Sequence, residues 1–348
     1  MILDDICATI LNESSSDAAL SAALKHWVEL CSAVTGVCPD PSFDAWAGDT
    51  LLPQGVAINP QAAAHCALDY MRSVMFMRGI YAAIKHCITR APNGHVEILY
   101  AGCGPYATLL LPLLKHFKTG TLRVYLLDIH ETALHSVNQL LRHFDLDEHV
   151  AQTIRADACS YQSAVPLDII IAETMQKSLE QEPQISVTAN LAAQLANHGV
   201  FIPERIDVCL CLADLSSERE LVSLTEGSAI GQLAFDDRRT LATLCTLTPE
   251  SVAELAPPIE GDTGLDAETV ALFANEVIIP PLADLERLET VLFTRICVFQ
   301  QYCLGDYESQ ITLPLKCHDL TNIAGGERYR VSYGLGRYPK FNFERIPA

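Results

Sequence analysis

The stretch that decides the fold is VEILYAGCGPYATLLLPLL (residues 96–114), followed by LRVYLLDIH (122–130). An apolar segment leads into a glycine-rich turn, and a second apolar segment ends on an acid. Short apolar runs that alternate with helical periods predict a parallel sheet with helices on both faces. We therefore predict an α/β, Rossmann-like fold, with strands at 96–101, 121–128, 150–156, 167–173 and 199–204 and helices at 105–117, 131–144 and 184–197.

The glycine turn and the acids after it predict a cofactor site. Gly102 and Gly104 follow the first strand, where glycines permit a tight turn and close approach of a ligand. Asp128, at the end of the second strand, can accept hydrogen bonds from ribose hydroxyls. Asp157, after the third strand, can contact an adenine amino group. This order favours S-adenosylmethionine as the cofactor.

Two alternatives for the glycine turn stay open. A nicotinamide dinucleotide also fits G-x-G-x-x-A, although about 95 residues precede the first strand and one nucleotide-binding half is evident. The other alternative is a tight turn with capping acids and no ligand.

Composition bounds the possible partners and the location. The 348 residues carry a net charge of −20, which disfavours nucleic acid and anionic membranes and favours a cationic substrate. The start, MILDDICATI, lacks the cationic region of a secretory signal. Thirteen scattered cysteines without C-x-x-C indicate reduced thiols in a cytoplasmic protein. Zinc at Cys209 and Cys211 would need two further ligands, so no metal site is predicted.

Changes in pattern divide the chain into three segments. Residues 1–58 form an N-terminal helical segment, in which TGVCPDPSFDAWAGD (35–49) either shields the next layer or forms a lid. Residues 59–205 form the cofactor-binding domain, which opens on Asn59 as a helix cap and Pro60. Residues 206–348 contain alternating strand patterns typical of an antiparallel β domain, with a short helix in TPESVAEL (248–255).

A second acidic region points to the reaction. In PLDIIIAETMQKSLEQE (166–182), Glu173 ends a buried strand, where open α/β sheets bind ligands. An acid at that point needs a partner, whereas Glu180 fits a solvated loop. Upstream, Asp69 and Arg72 are three residues apart and therefore lie on one face of a predicted helix. They form either a surface ion pair or part of the cofactor site.

These motifs resemble the protein arginine methyltransferase family from about Ala67 to Val208. Glu173, Met175 and Glu182 match the family's two glutamates nine positions apart. Asp69-Tyr70-Met71-Arg72 resembles its D-x-x-R helix, and HGVFIPERIDV (198–208) resembles its entry into a β-barrel domain. The resemblance implies a Rossmann-like methyltransferase domain, a β-barrel-like substrate and dimerisation domain, S-adenosylmethionine as donor and commonly a homodimer.

The resemblance also assigns roles. Arg72 would bind the methionine carboxylate, Gly102 and Gly104 would line the loop, Asp128 would hold the ribose, and Glu173 and Glu182 would grip a guanidinium. Paired carboxylates suit that task because they bind a guanidinium in its plane.

Three departures from the family pattern bear on the substrate. The family's Thr-His-Trp loop is missing, because the only tryptophans are Trp27 and Trp46. Tyr100 stands where an acid is usual, and Lys177 lies inside the acidic loop. They favour a small cationic molecule, such as free arginine, over an arginine-containing peptide. The alternatives are another amine, hydroxyl or carboxylate substrate near Gln176, Lys177 and His318, a non-catalytic scaffold, and an NAD-dependent oxidoreductase.

Overall fold

The computed structural model describes residues 2–39, 48–90, 94–252 and 271–347, without the side chains of 271–275. Trp46, most of the predicted lid (35–49) and the end of the predicted helix at 248–255 lie outside these ranges. The described helices are α1 Leu3–Leu11, α2 Asp17–Thr35, α3 Pro60–Cys66, α4 Tyr70–Ile88, α5 Glu131–Phe144, α6 Gln184–Ala192 and α7 Leu215–Ser223.

The described strands fall into an N-terminal hairpin, a central set and a C-terminal set. They are β1 Thr50–Leu52, β2 Gly55–Ala57, β3 Val96–Ala101, β4 Leu122–Asp128, β5 Val150–Arg155, β6 Leu167–Ala172, β7 Leu195–Ile202, β8 Arg205–Ala213, β9 Arg239–Leu247, β10 Ala271–Ile278, β11 Glu289–Phe299, β12 Tyr302–Leu304, β13 Leu315–Lys316, β14 Arg328–Gly334 and β15 Lys340–Ile346.

The central sheet has five parallel strands in the order β5-β4-β3-β6-β7. The chain moves outward from β3 through β4 to β5, then crosses back to place β6 on the other side of β3. Strand order therefore reverses beside β3, and open α/β sheets bind ligands at the carboxyl ends of strands at such a point. The predicted parallel α/β sheet is confirmed.

The predicted helix at 105–117 is wrong. Turns follow Gly104, and a 3₁₀ helix spans Leu111–His116. Pro112 explains the difference, since it has no N–H and its ring clashes with the carbonyl four residues earlier in an α-helix. Ala107 adds a second obstacle, because its φ of +43° is not helical.

Two further helix boundaries differ from the predicted ones, one through a helix cap and the other through strand pairing. The helical block after Asn59 divides into α3 and α4, since Asp69 caps the start of α4. The helix predicted at 184–197 ends at Ala192, because Leu195 already pairs with Leu167 of β6. Strand β7 accordingly begins four residues before the predicted start at 199.

The C-terminal strands are antiparallel, as predicted. One sheet has the order β12-β11-β8-β9, with β13 also paired to β11, and the other has the order β10-β14-β15. The described strands thus form two hydrogen-bonded sheets, and closure into a barrel stays a prediction, as do the three domain boundaries.

Helix α4 lies between the parallel sheet and the C-terminal strands. A Cβ atom on Gly79 would lie 2.6 Å from Val298 Cγ1, so α4 packs directly against β11. One buried cluster includes Trp27 of α2, Ile98 of β3 and Val298 of β11. This continuous core fixes α4, which carries Arg72, relative to both sheets.

Candidate active site

A cavity of about 630 Å³ opens at the carboxyl ends of the central strands. Its walls come from α3 and α4, from the loops after β3 and β6, and from the ends of β4 and β5. All seven predicted site residues line it: Arg72, Gly102, Gly104, Asp128, Asp157, Glu173 and Glu182. The structure thus brings the predicted residues together, while their binding roles stay predictions.

The glycines of the loop after β3 permit both a tight turn and close packing against a neighbouring loop. Gly102 and Gly104 have φ values of +70° and +64°, which L side chains rarely adopt. A Cβ atom on Gly102 would lie 2.7 Å from Thr174 Cγ2, so the loop after β6 occupies the space beside it. At Gly102, close packing of two protein loops therefore requires glycine.

The two acids at the strand ends keep acceptor capacity. Asp128 is buried and accepts hydrogen bonds from the backbone N–H groups of Gly104 (2.9 Å) and His130 (2.8 Å). Asp157 accepts one from the N–H of Cys159 (2.8 Å). A carboxylate offers about four acceptor positions, so both acids can also accept from hydroxyl or amino groups of a ligand.

Asp69 joins the cavity wall at the start of α4 to the C-terminal region. Its Oδ1 accepts from the N–H of Arg72 (3.4 Å), which caps α4. Its Oδ2 accepts from Ser309 Oγ (2.7 Å) and from the N–H of Gln310 (2.8 Å). The surface ion pair that the spacing of Asp69 and Arg72 allowed does not form, because the guanidinium turns to Glu173.

Arg72 and Glu173 form a buried ion pair, in which Arg72 Nη2 contacts Glu173 Oε2. Burial works to lower the pKa of Arg72, but the carboxylate of Glu173 more than offsets it and the pKa is raised. Burial raises the pKa of Glu173, although Arg72 opposes this. Arg72 Nε and Glu173 Oε1 have no hydrogen-bond partner among the described residues. Such unpaired buried atoms are what an absent polar ligand would satisfy.

Glu182 adds a second buried carboxylate to this pair. Glu173 and Glu182 are 8% and 7% exposed. Burial and the charge of Glu173 raise the pKa of Glu182 to about 8, against the opposing effects of Arg72 and a hydrogen bond from Gln176. Two acidic groups thus share one cation, which suits a site for a cationic ligand.

The loop between the two glutamates is strained and held by tertiary contacts. Ser178, Leu179 and Gln181 have φ between +58° and +67°, which costs about 1–3 kcal/mol per residue. The N–H of Ser178 donates to Thr294 Oγ1 (2.7 Å), and Tyr333 Oη donates to the carbonyl of Leu179. The C-terminal sheets therefore impose the position of Glu182.

Two segments that line the main cavity were not predicted from the sequence. The hairpin β1–β2 contributes Val56, whose N–H donates to the carbonyl of Gln181 (2.8 Å). A Cβ atom on Gly55 would lie 2.8 Å from the backbone N of Pro183, so the hairpin packs tightly on the acidic loop. The turn sequence Pro53-Gln54-Gly55 between apolar pairs was a usable hairpin signal. Gln310, Ile311 and Leu313 form the other wall segment, which has no evident sequence signal.

The remaining residues singled out in the sequence lie in different parts of the structure. Gln176 and Lys177 line the main cavity. Glu180 instead lines a second cavity of about 340 Å³ together with Lys340. His318 lies close enough to Glu180 to lower its pKa, which burial raises overall, and it does not line either cavity. Of this alternative set, Gln176 and Lys177 thus line the main cavity and His318 does not, and the alternative substrate stays a prediction.

The described ranges bear on metal binding and on membrane insertion. No group of three or more His, Cys, Asp or Glu side chains there could hold a metal ion. Among the same residues, no helix is both long enough and apolar enough to cross a membrane.

Comparison with known proteins yields structural likeness alone. No protein-family model matches the chain, and no curated protein matches it. One similar solved structure is the Trypanosoma brucei PRMT1 enzyme-prozyme heterotetrameric complex with AdoHcy, at 13% identity and a TM-score of 0.46, covering 81% of this chain and 96% of that one. Another is Arabidopsis thaliana protein arginine methyltransferase 10 in an open conformation, at 12% identity and a TM-score of 0.47, covering 77% and 86%. Likeness at this level does not identify a reaction or a substrate, so the functional assignment depends on the site.

Proposed function

We propose that the chain is an S-adenosylmethionine-dependent N-methyltransferase that acts on a guanidino or amino group of a small cationic molecule. The observation that carries this proposal is the buried Glu173–Glu182 pair beside Arg72, in the cavity that also contains the glycine loop and two strand-end acids. Negative groups on one wall and ribose acceptors on another suit two cationic reactants that meet in one cavity.

The residues fit the cofactor in their donor and acceptor chemistry. Asp128 retains acceptor positions for ribose hydroxyls, and Asp157 for an amino group. Arg72 has five N–H donors, of which Nη2 reaches Glu173 and Nη1 lies 3.5 Å from the carbonyl of Cys66. Its unpaired Nε can therefore bind a ligand carboxylate. When bound, S-adenosylmethionine would supply an electrophilic methyl group on a sulfonium.

The two glutamates would orient and polarise the acceptor. A guanidinium keeps its charge at neutral pH because its pKa exceeds about 12. Carboxylates on two of its nitrogens draw the positive charge toward them, which leaves more lone-pair density on the third nitrogen. The unpaired Glu173 Oε1 can accept one such bond. Glu182, which gives up its own proton when the guanidinium binds, can take up the proton that the methylated nitrogen releases. The gain comes mainly from positioning and electrostatics.

Ligand binding and turnover test this proposal separately. Calorimetry should detect S-adenosylhomocysteine but not NAD; binding of NAD alone would replace the proposal with the oxidoreductase, and binding of neither would favour the scaffold. Methyl transfer to arginine, agmatine and an arginine-rich peptide should then rank the small cations first. Transfer to none of the three would refute the guanidino assignment.

A matched pair of variants tests the glutamates. Glu173→Gln should abolish methyl transfer and retain S-adenosylhomocysteine binding. Glu180→Gln lies in the same loop but faces the second cavity, so it should retain both. Equal turnover in the two variants would contradict the role of Glu173. The homodimer that the resemblance implies stays a prediction, which sedimentation velocity can check.

A further inference from the structure

Cys297 and Cys303 face each other across the hairpin that joins β11 and β12. They are direct register partners in this antiparallel pair, and their sulfur atoms lie 3.1 Å apart. Cys303 is exposed and Cys297 is half-buried. We propose that Cys297 and Cys303 are a redox-active dithiol, which a peroxide converts into an intramolecular disulfide.

The backbone already has the required geometry. Opposite residues in an antiparallel pair have Cα atoms about 4.5 or 5.5 Å apart, depending on the hydrogen-bonding pattern. A disulfide accommodates Cα separations of about 4.4–6.8 Å. Closing the sulfur atoms from 3.1 Å to a bond therefore requires side-chain rotation and no strand movement.

The turn directs both sulfur atoms to the same point. The carbonyl of Gln300 lies 3.2 Å from Cys297 Sγ and 3.4 Å from Cys303 Sγ. Thiols are weak donors, so these contacts hold the side chains together without a strong competing bond. Gln300 has a φ of +51°, and its N–H donates to Glu204 Oε2 (2.8 Å), which fixes the turn.

The two thiols have different surroundings and therefore different roles. Cys303 is exposed, so a small oxidant reaches it first. Burial raises the pKa of Cys297 to about 12, with further contributions from Cys303 and Glu204 against the lowering effect of Arg205. Cys303 is thus the attacking thiol, and Cys297 is the resolving thiol.

The oxidation balances with hydrogen peroxide as the oxidant. The thiolate of Cys303 attacks one peroxide oxygen, an S–O bond forms, the O–O bond breaks, and hydroxide leaves with the thiol proton as water. Cys297 then attacks the sulfur of this sulfenic acid, an S–S bond forms, the S–O bond breaks, and a second water leaves with the second thiol proton. Each sulfur loses one electron, and the peroxide oxygens gain two.

The sequence makes the experiment simple. Trypsin cleaves after Arg295 and Lys316, so both cysteines lie in one peptide, 296–316. The intact protein is treated with hydrogen peroxide, free thiols are alkylated with iodoacetamide, and the peptide is weighed. It should lose about 2 Da, the mass of two hydrogen atoms, and take up no alkyl group. Dithiothreitol should restore uptake of two.

Cysteine variants identify the partners. Cys303→Ser should abolish the product, and Cys38→Ser should retain it, since Cys38 is exposed in another part of the chain. In Cys297→Ser, Cys303 should be oxidised to an oxygen-containing acid instead of a disulfide. If that variant does not fold, the loss of the disulfide in Cys303→Ser is the test of the proposal. A fully alkylated peptide at peroxide doses that oxidise Cys38 would overturn the proposal. So would sulfinic acid at Cys303 in the unaltered protein.

Discussion

Replacing Glu182 by glutamine should make the ligand-free protein more stable at neutral pH. The side chain is buried beside Glu173, and its pKa is raised from an ordinary 4.5 to about 8. Between these pH values the folded chain keeps a proton that the unfolded chain releases. The free energy of unfolding therefore falls as pH rises through this interval, and Glu182→Gln, which cannot ionise, avoids the loss.

The size of the effect follows from the interval. Each pH unit between 4.5 and 8 lowers the free energy of unfolding by about 1.4 kcal/mol through this one group. The variant should thus gain about 3 kcal/mol over the unaltered protein at pH 7, and less than about 1 kcal/mol near pH 5. Urea unfolding at both pH values, without ligand, measures the difference.

Glu173→Gln provides a contrast of opposite sign from the same cavity. It removes the partner of buried Arg72, and loss of one member of a buried ion pair costs about 3–5 kcal/mol. At pH 7 one glutamine variant should therefore stabilise the protein and the other should destabilise it. If Glu182→Gln gains nothing at pH 7, or gains as much at pH 5, then Glu182 does not hold a proton in the free site.

Three further changes probe how the site is supported. Gly55→Ala should displace the β1–β2 hairpin from the acidic loop and weaken S-adenosylhomocysteine binding in calorimetry. Thr294→Val should lower the free energy of unfolding by about 1–3 kcal/mol, because the buried N–H of Ser178 in the acidic loop loses its acceptor. Thr290→Val, in the same strand, should also destabilise the protein but leave arginine turnover unchanged. Arg238→Met should lower the melting temperature, because buried Glu218 loses its bidentate partner; an unchanged melting temperature would contradict this.

Local sequence signals predicted the central sheet well. The strands β3, β4 and β6 were found within a residue of each end, and helix α5 was found at both ends. Their apolar runs, turn residues and caps all favour the same structure. The prediction failed at 105–117, where apolar residues suggested a helix and Pro112 prevented it.

The sequence predicted which residues line the cavity, but it did not predict which of them pair with each other. Residues at the carboxyl ends of parallel strands meet at one sheet edge, which is why Asp128, Asp157 and Glu173 could be placed together. The pairing of Arg72 with Glu173 instead of Asp69 could not be read from spacing. It depends on Ser309 and Gln310, about 240 positions along the chain, which take up the Asp69 carboxylate.

The same reasoning explains why the acidic loop has its shape. Ser178, Leu179 and Gln181 could adopt helical or extended backbone conformations at no conformational cost, yet all three have positive φ. Conformations of this cost persist where surrounding structure over-determines them. Here the surrounding structure is the C-terminal sheets and the β1–β2 hairpin, which hold backbone groups of the loop. The result keeps Glu182 buried beside Glu173, an arrangement that two carboxylates in a relaxed loop would avoid by moving into water.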